Sequence, residues 1–138
     1  MSRSERTHSL THLLTHSPTP LQVREGGLVQ ILACARFNDL EVQRDCIFAL
    51  ANISDTPEYQ ADVVREGGIQ VLRDLGTHDD ARVQRHCARG MANLAVGEWR
   101  GREYVRALVI EGVQRCVMRK VRVCASVIFC ACHCMSVS

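Results

Sequence analysis

Aromatic side chains are scarce: the 138 residues include one Trp, two Tyr and three Phe, or 4%. A core must therefore be assembled from Leu, Ile, Val, Ala and Cys. Long hydrophobic runs are missing as well. The longest, at 123–132, falls short of the roughly 18 apolar residues a membrane-spanning helix needs, so no transmembrane segment is expected. The opening stretch, MSRSERTHSLTHLLTHSPTP, lacks the apolar centre of a secretory signal. Without that signal, the eight cysteines read as reduced thiols of an intracellular protein, cytoplasmic or nuclear, and not as a disulfide framework. Charge of one sign is also lacking. Seventeen Lys and Arg against fifteen Asp and Glu leave a net +2, too little to indicate a nucleic-acid partner or a membrane surface. There is no P-loop, no G-x-S-x-G and no H-E-x-x-H, so no enzyme, cofactor or metal is expected. What remains is ordinary: 46% hydrophobic and 23% charged residues, the composition of one globular domain.

What the chain does have is a repeat. VREGG occurs at 23–27 and again at 64–68, a separation of 64 − 23 = 41 residues. A fixed period of this size signals a repeat architecture. Without a gap, 23–53 and 64–94 agree at twelve positions, among them Asp39/Asp80, Val42/Val83, Gln43/Gln84, Arg44/Arg85, Cys46/Cys87, Ala51/Ala92 and Asn52/Asn93. Leu28/Ile69, Ile31/Leu72, Leu50/Met91 and Ile53/Leu94 exchange like for like. The unit is a duplication.

Each unit reads as helices. Leu28, Ile31, Leu32 and Ala35 have helical spacing. In the next segment Asn38 or Asp39 can cap, and Val42, Cys46, Ala49, Leu50 and Ile53 share one face. Val83, Cys87, Gly90, Met91 and Leu94 repeat that face one unit later. Pro57 suits the first turn of a short helix ending at Gly67. The paired glycines permit a sharp corner, because either can take a positive φ. Such a unit cannot bury its apolar face alone, so the predicted fold is all-α: a right-handed α-solenoid in which each layer covers the last.

The Gly-Gly corner, EVQRDCIFALANIS and RVQRHCARGMANLA closely resemble the armadillo repeat, over about 23–118 and most specifically over 23–94. HEAT repeats have a similar shape but less often carry the paired glycines and the Asn of the third helix. The resemblance implies three-helix repeats whose third helices line a concave groove, where the third-helix Asn grips the backbone of an extended peptide. Carried over, those residues are Asn52 and Asn93. An amide suits the role, offering both a donor and an acceptor whatever the peptide's sequence. Asp45, Phe48 and Asn52 lie at i, i+3, i+7, and His86, Arg89 and Asn93 do the same one unit later. The alternative is that each Asn satisfies a carbonyl within the array. Nuclear-import adaptors of this family carry Trp four residues before the Asn; Phe48 and Arg89 stand there, and Arg89 would repel a basic cargo. Arg82, Arg85 and Arg89 make the second long helix cationic and Arg44 does so more weakly in the first, which suits either an acidic peptide partner or a solvated charged face.

The ends depart from the pattern. Residues 1–22 read as a stub of an earlier long helix, with Leu10 and Leu13 in place of Leu50 and Ile53, and with His8, His12 and His16 as an exposed stripe. Residues 23–63 form one unit, 64–109 a second with a longer final loop that holds Trp99, and 110–118 begin a third. From 119 to 138 the pattern fails, and Cys130, Cys132 and Cys134 alternate around His133. The expected function is a non-catalytic scaffold that binds an extended peptide or a partner helix. Alternatives are a membrane-tethered or metal-binding module acting through the Cys-rich tail, and a nuclear-import-type adaptor. Two full units fall short of the three or so that stacked repeats usually need, so self-association through open ends is expected.

Overall fold

The structure is a computed structural model that describes residues 23–97, 106, 107 and 110. Among the described residues it is all-helical, with no strand and with five α-helices: α1 (Leu28–Cys34), α2 (Leu40–Asp55), α3 (Pro57–Arg65), α4 (Gly68–Leu75) and α5 (Ala81–Val96). A wide helical turn, Val23–Gly27, leads into α1. The stub, Trp99, the third unit's helix and the Cys-rich tail expected from the sequence lie outside the described residues, apart from positions 106, 107 and 110.

The helices begin and end where the local chemistry dictates. α2 starts at Asp39, whose carboxylate accepts from the Glu41 and Val42 amides. α5 starts at Asp80, which accepts from the Arg82 and Val83 amides. Each Asp satisfies amides that a helix start leaves without partners. Of the two capping candidates in the first unit, Asp39 is therefore the cap. Pro57 stands at the start of α3, where its missing N–H costs nothing.

The Gly-Gly corner turns out to divide its labour. Gly26 and Gly67 take the positive φ, 97° and 89°. Gly68 instead serves close approach. A Cβ there would stand 2.5 Å from Val63 Cγ1 and 2.7 Å from the Val63 carbonyl oxygen. α3 and α4 pack so tightly at the corner that only a hydrogen fits.

The two units share one core. Leu28, Ile31 and Leu32 of α1, Cys46, Ile47, Leu50 and Ile53 of α2, Val63 of α3, Leu72 of α4 and Val83, Cys87 and Leu94 of α5 form a continuous buried cluster. Val42 and Met91 pack against it half-buried. Each such Leu or Ile contributes about 1.5–3 kcal/mol when withdrawn from water. The most extensive helix contact joins α2 to α5, one long helix from each unit. Gly90 permits it: a Cβ there would stand 3.1 Å and 3.2 Å from the two Leu72 methyls and 3.6 Å from the Ala51 Cα. Glycine inside a helix costs about 1 kcal/mol relative to Ala, and here that cost accompanies close packing of the two units.

Polar groups bind the units as well. Buried Gln60 donates its amide to the Ser54 carbonyl at 3.0 Å and the Asn93 carbonyl at 3.3 Å, so one side chain of α3 holds the ends of α2 and α5. Arg44 of α2 pairs with Asp80 at the start of α5. The guanidinium and the capping amides hold the Asp80 carboxyl well below the usual carboxylate range.

Candidate functional site

The side chains singled out on the two long helices converge on one flank of the α2–α5 pair. Phe48, 40% exposed, meets His86 edge to face with ring centroids 5.1 Å apart. The Arg89 guanidinium lies over the Phe48 ring, 5.6 Å from its centroid, a cation–π contact. Arg89 Nη2 also donates to Asn52 Oδ1 at 2.6 Å. Helical spacing puts Phe48 and Asn52 one turn apart on α2 and His86 and Arg89 one turn apart on α5. The packing of α2 on α5 then brings the two pairs together. Asp45 and Arg85 lie exposed beside this cluster.

Asn93 sits at the far end of the flank. Its Nδ2 donates to the Ala51 carbonyl at 3.3 Å. Each asparagine thus spends one of its two polar atoms between the units. Asn52 Nδ2 and Asn93 Oδ1 have no partner among the described residues. One donor on α2 and one acceptor on α5, the complement of a peptide group, are thus left unspent on two half-exposed residues.

The electrostatics of the flank are uneven. Burial first, then the positive charges of Arg89 and Arg85, push the His86 imidazole below its ordinary 6.5. It is therefore neutral at physiological pH and serves as an aromatic edge, not a charge. Asp45 is pushed above the usual carboxylate value by partial desolvation, with Glu41 adding to it. Arg44, counted from the sequence among the cations of this surface, is spent on Asp80. The outward positive charge comes from α5, with Arg82 and Arg85 exposed and Arg89 half-exposed.

The His86 shift carries a pH dependence. A folded-state pKa below the unfolded value means that the unfolded chain binds the extra proton. Stability is then full above about pH 6.5 and falls as pH drops through the unfolded value. In His86→Phe, which keeps a ring against Phe48, thermal unfolding between about pH 7 and 5 should depend less steeply on pH than in the wild type. An unchanged slope would assign the dependence to other groups.

Cys46 and Cys87 are free thiols with no exposed surface, and burial pushes both to about 12. A thiol so held is a small hydrophobe and not a nucleophile. Cys34 is half-buried. Among the described residues, no cluster of His, Cys, Asp and Glu could hold a metal ion, and no helix is long and apolar enough to cross a membrane.

Two contacts at this seam escaped the sequence reading: the Arg44–Asp80 pair and the Gln60 bridge. For the first a signal existed, since both residues recur in the 41-residue period. For Gln60 there was none. Its neighbours at Ser54 and Asn93 belong to two other helices.

The comparisons with known proteins agree with this architecture. No curated protein matches the chain. Residues 56–96 match the family of the Armadillo/beta-catenin-like repeat. Among solved structures, the chain is similar to a crystal structure of an engineered protein from the Northeast Structural Genomics Consortium, with 30% sequence identity and a TM-score of 0.63. The match covers 79% of this chain and 44% of that one, so the chain spans less than half the length of that protein. Armadillo repeats are generally non-catalytic scaffolds and typically bind protein partners. The segment that spans α3, the Gly67–Gly68 corner, α4 and α5 is therefore similar to an armadillo-type repeat, and the chain as a whole is an all-helical protein of that kind of architecture among the described residues.

Proposed function

We propose that the chain is a non-catalytic binding scaffold, a short right-handed α-solenoid that holds an extended peptide along α2 and α5. The observation that carries this reading is the pair of unspent polar atoms, Asn52 Nδ2 and Asn93 Oδ1, on adjacent long helices. Together they can receive one carbonyl and one N–H of an extended strand without reading its side chains. Phe48 and His86 supply an apolar surface beside Asn52 on the same flank. Arg82, Arg85 and Arg89 favour an acidic peptide, by attracting it and by repelling a basic one. A nuclear-import-type role for this segment fits poorly, because Arg89 already lies over Phe48 and bonds Asn52. An intracellular site of action accords with the free thiols. The reading through the Cys-rich tail concerns 119–138, and removal of that segment separates it: a groove binder keeps its partner, a tail-dependent module loses membrane or zinc association.

The test is peptide display against the full chain, with acidic, neutral and basic extended libraries. Acidic sequences should be enriched. Asn52→Ala/Asn93→Ala should weaken the selected peptides by about 2 kcal/mol, at about 1 kcal/mol per lost hydrogen bond. Unchanged affinity in a folded double variant would move the partner to another surface.

A further inference from the structure

We infer that the bound peptide meets α2 through a carbonyl alone, an inference that rests on the peptide reading and deepens it. A proline, or any residue without an N–H, is then accepted opposite Asn52 and penalised opposite Asn93. Arg89 sets the difference. The two asparagines hold the same place in the repeat, 93 − 52 = 41 residues apart, yet their amides are held in opposite senses. Arg89 Nη2 donates to Asn52 Oδ1 at 2.6 Å, whereas Asn93 Nδ2 donates to the Ala51 carbonyl at 3.3 Å. Chemistry fixes both orientations. A guanidinium only donates, so the atom that faces it is the amide oxygen. A carbonyl only accepts, so the atom that faces it is the amide nitrogen.

The hold on Asn52 is the firmer of the two. The bond from Arg89 is short and carries a full charge, which makes it about twice as strong as a neutral one. The guanidinium also lies 5.6 Å from the Phe48 ring centroid, and its Nε is buried. The head of Arg89 is therefore packed in place. It carries five N–H groups, so it can hold Asn52 and still meet a carboxylate of an acidic peptide.

Asn52 Oδ1 keeps a second lone pair. A peptide N–H brought there would point its positive end at the guanidinium on the same oxygen, and like charges repel. Asn52 thus offers the peptide a donor and no useful acceptor. Asn93 Oδ1 has no partner among the described residues and can take a peptide N–H in full. The peptide residue over α2 needs only its carbonyl, which proline supplies, and the residue over α5 needs an N–H, which proline lacks.

The test uses the full chain and one probe. That probe is the tightest acidic peptide from the display above, made synthetically with each backbone nitrogen methylated in turn. Each derivative lacks one N–H and keeps every carbonyl. In the wild type, one derivative should lose about fivefold in affinity, and that loss should disappear in Asn93→Ala. No derivative should show a loss that disappears in Asn52→Ala. The unmethylated peptide should still bind Asn52→Ala more weakly, because the carbonyl contact is gone. Arg89→Met keeps an unbranched side chain near Phe48 but removes the donor. It frees Asn52 Oδ1, and a second derivative should then lose about fivefold, through Asn52. A change of packing or net charge alone would act on all derivatives alike. The wild-type comparison needs no change at Arg89 and stands even where Arg89→Met does not fold. An Asn52-dependent loss already present in the wild type, or none in a folded Arg89→Met, would overturn the inference. Failure of the peptide reading is distinct: no acidic peptide is selected, or Asn52→Ala/Asn93→Ala binds the unmethylated peptide unchanged, and this inference falls with it.

Discussion

Leu72→Ala should lower the free energy of unfolding by about 2–5 kcal/mol, read from urea denaturation. Leu72 has no exposed surface. It projects from α4 to the place where Gly90 of α5 passes the Ala51 backbone of α2. Removing it therefore empties a site that three helices share. A small domain is stable by only about 5–15 kcal/mol, so the loss removes a large share of the total. A second substitution tests the geometry. On its own, Gly90→Ala gains helix propensity of about 1 kcal/mol but must displace the Leu72 methyls, which stand 3.1 Å and 3.2 Å from the new atom. In the Leu72→Ala background those methyls are gone. Gly90→Ala should then be more favourable than it is in the wild type, and the difference is the coupling between the two sites. Additive effects would mean that Leu72 and Gly90 do not meet.

The second large effect is expected at the corner. Gly68→Ala should cost about 3 kcal/mol, at the upper end of what overpacking a closed site costs. The added methyl would stand 2.5 Å from Val63 Cγ1 and 2.7 Å from a backbone carbonyl oxygen, whereas carbon contacts are ordinarily about 3.5–4.0 Å. Val63 has no exposed surface into which to retreat, so α3 and α4 must separate. Gly67→Ala meets a different obstacle. Its Cβ has room, with no heavy atom nearer than 3.7 Å, and only the positive φ of 89° opposes it. That strain is about 1–2 kcal/mol. The second glycine of the pair should therefore tolerate Ala less well than the first. Melting temperatures of the two variants decide the order, and the reverse order would refute this account of the corner.

The corner also shows how far the sequence could be read. Two adjacent glycines announce a reversal, and the period announces that it recurs. Which glycine takes the unusual dihedral and which admits its neighbour depends on where Val63 arrives. The helical faces were legible for a simpler reason. Cys46, Ala49, Leu50 and Ile53 follow a spacing that backbone geometry alone imposes, and all are buried. Asp39 and Asp80 were legible as caps because capping is a local exchange within three residues. The candidate site was legible only by helix. Asp45, Phe48 and Asn52 could be placed on one flank of α2, and His86, Arg89 and Asn93 on one flank of α5. Nothing in either segment states that Arg89 lies over Phe48, or that each Asn gives one of its polar atoms to the other unit.

By itself the sequence determined the repeat, the helices within each unit and the apolar face that each must hide. Those follow from short-range spacing, since the backbone has one helical period and few ways to turn a corner. The tertiary structure decided which charges are spent and which face outward. Arg44 and Arg85 are the same residue at the same place in the period, yet one is held by Asp80 and the other is exposed. Arg44 and Asp80 are 36 residues apart in the chain, and Coulomb attraction acts across space without regard to that order.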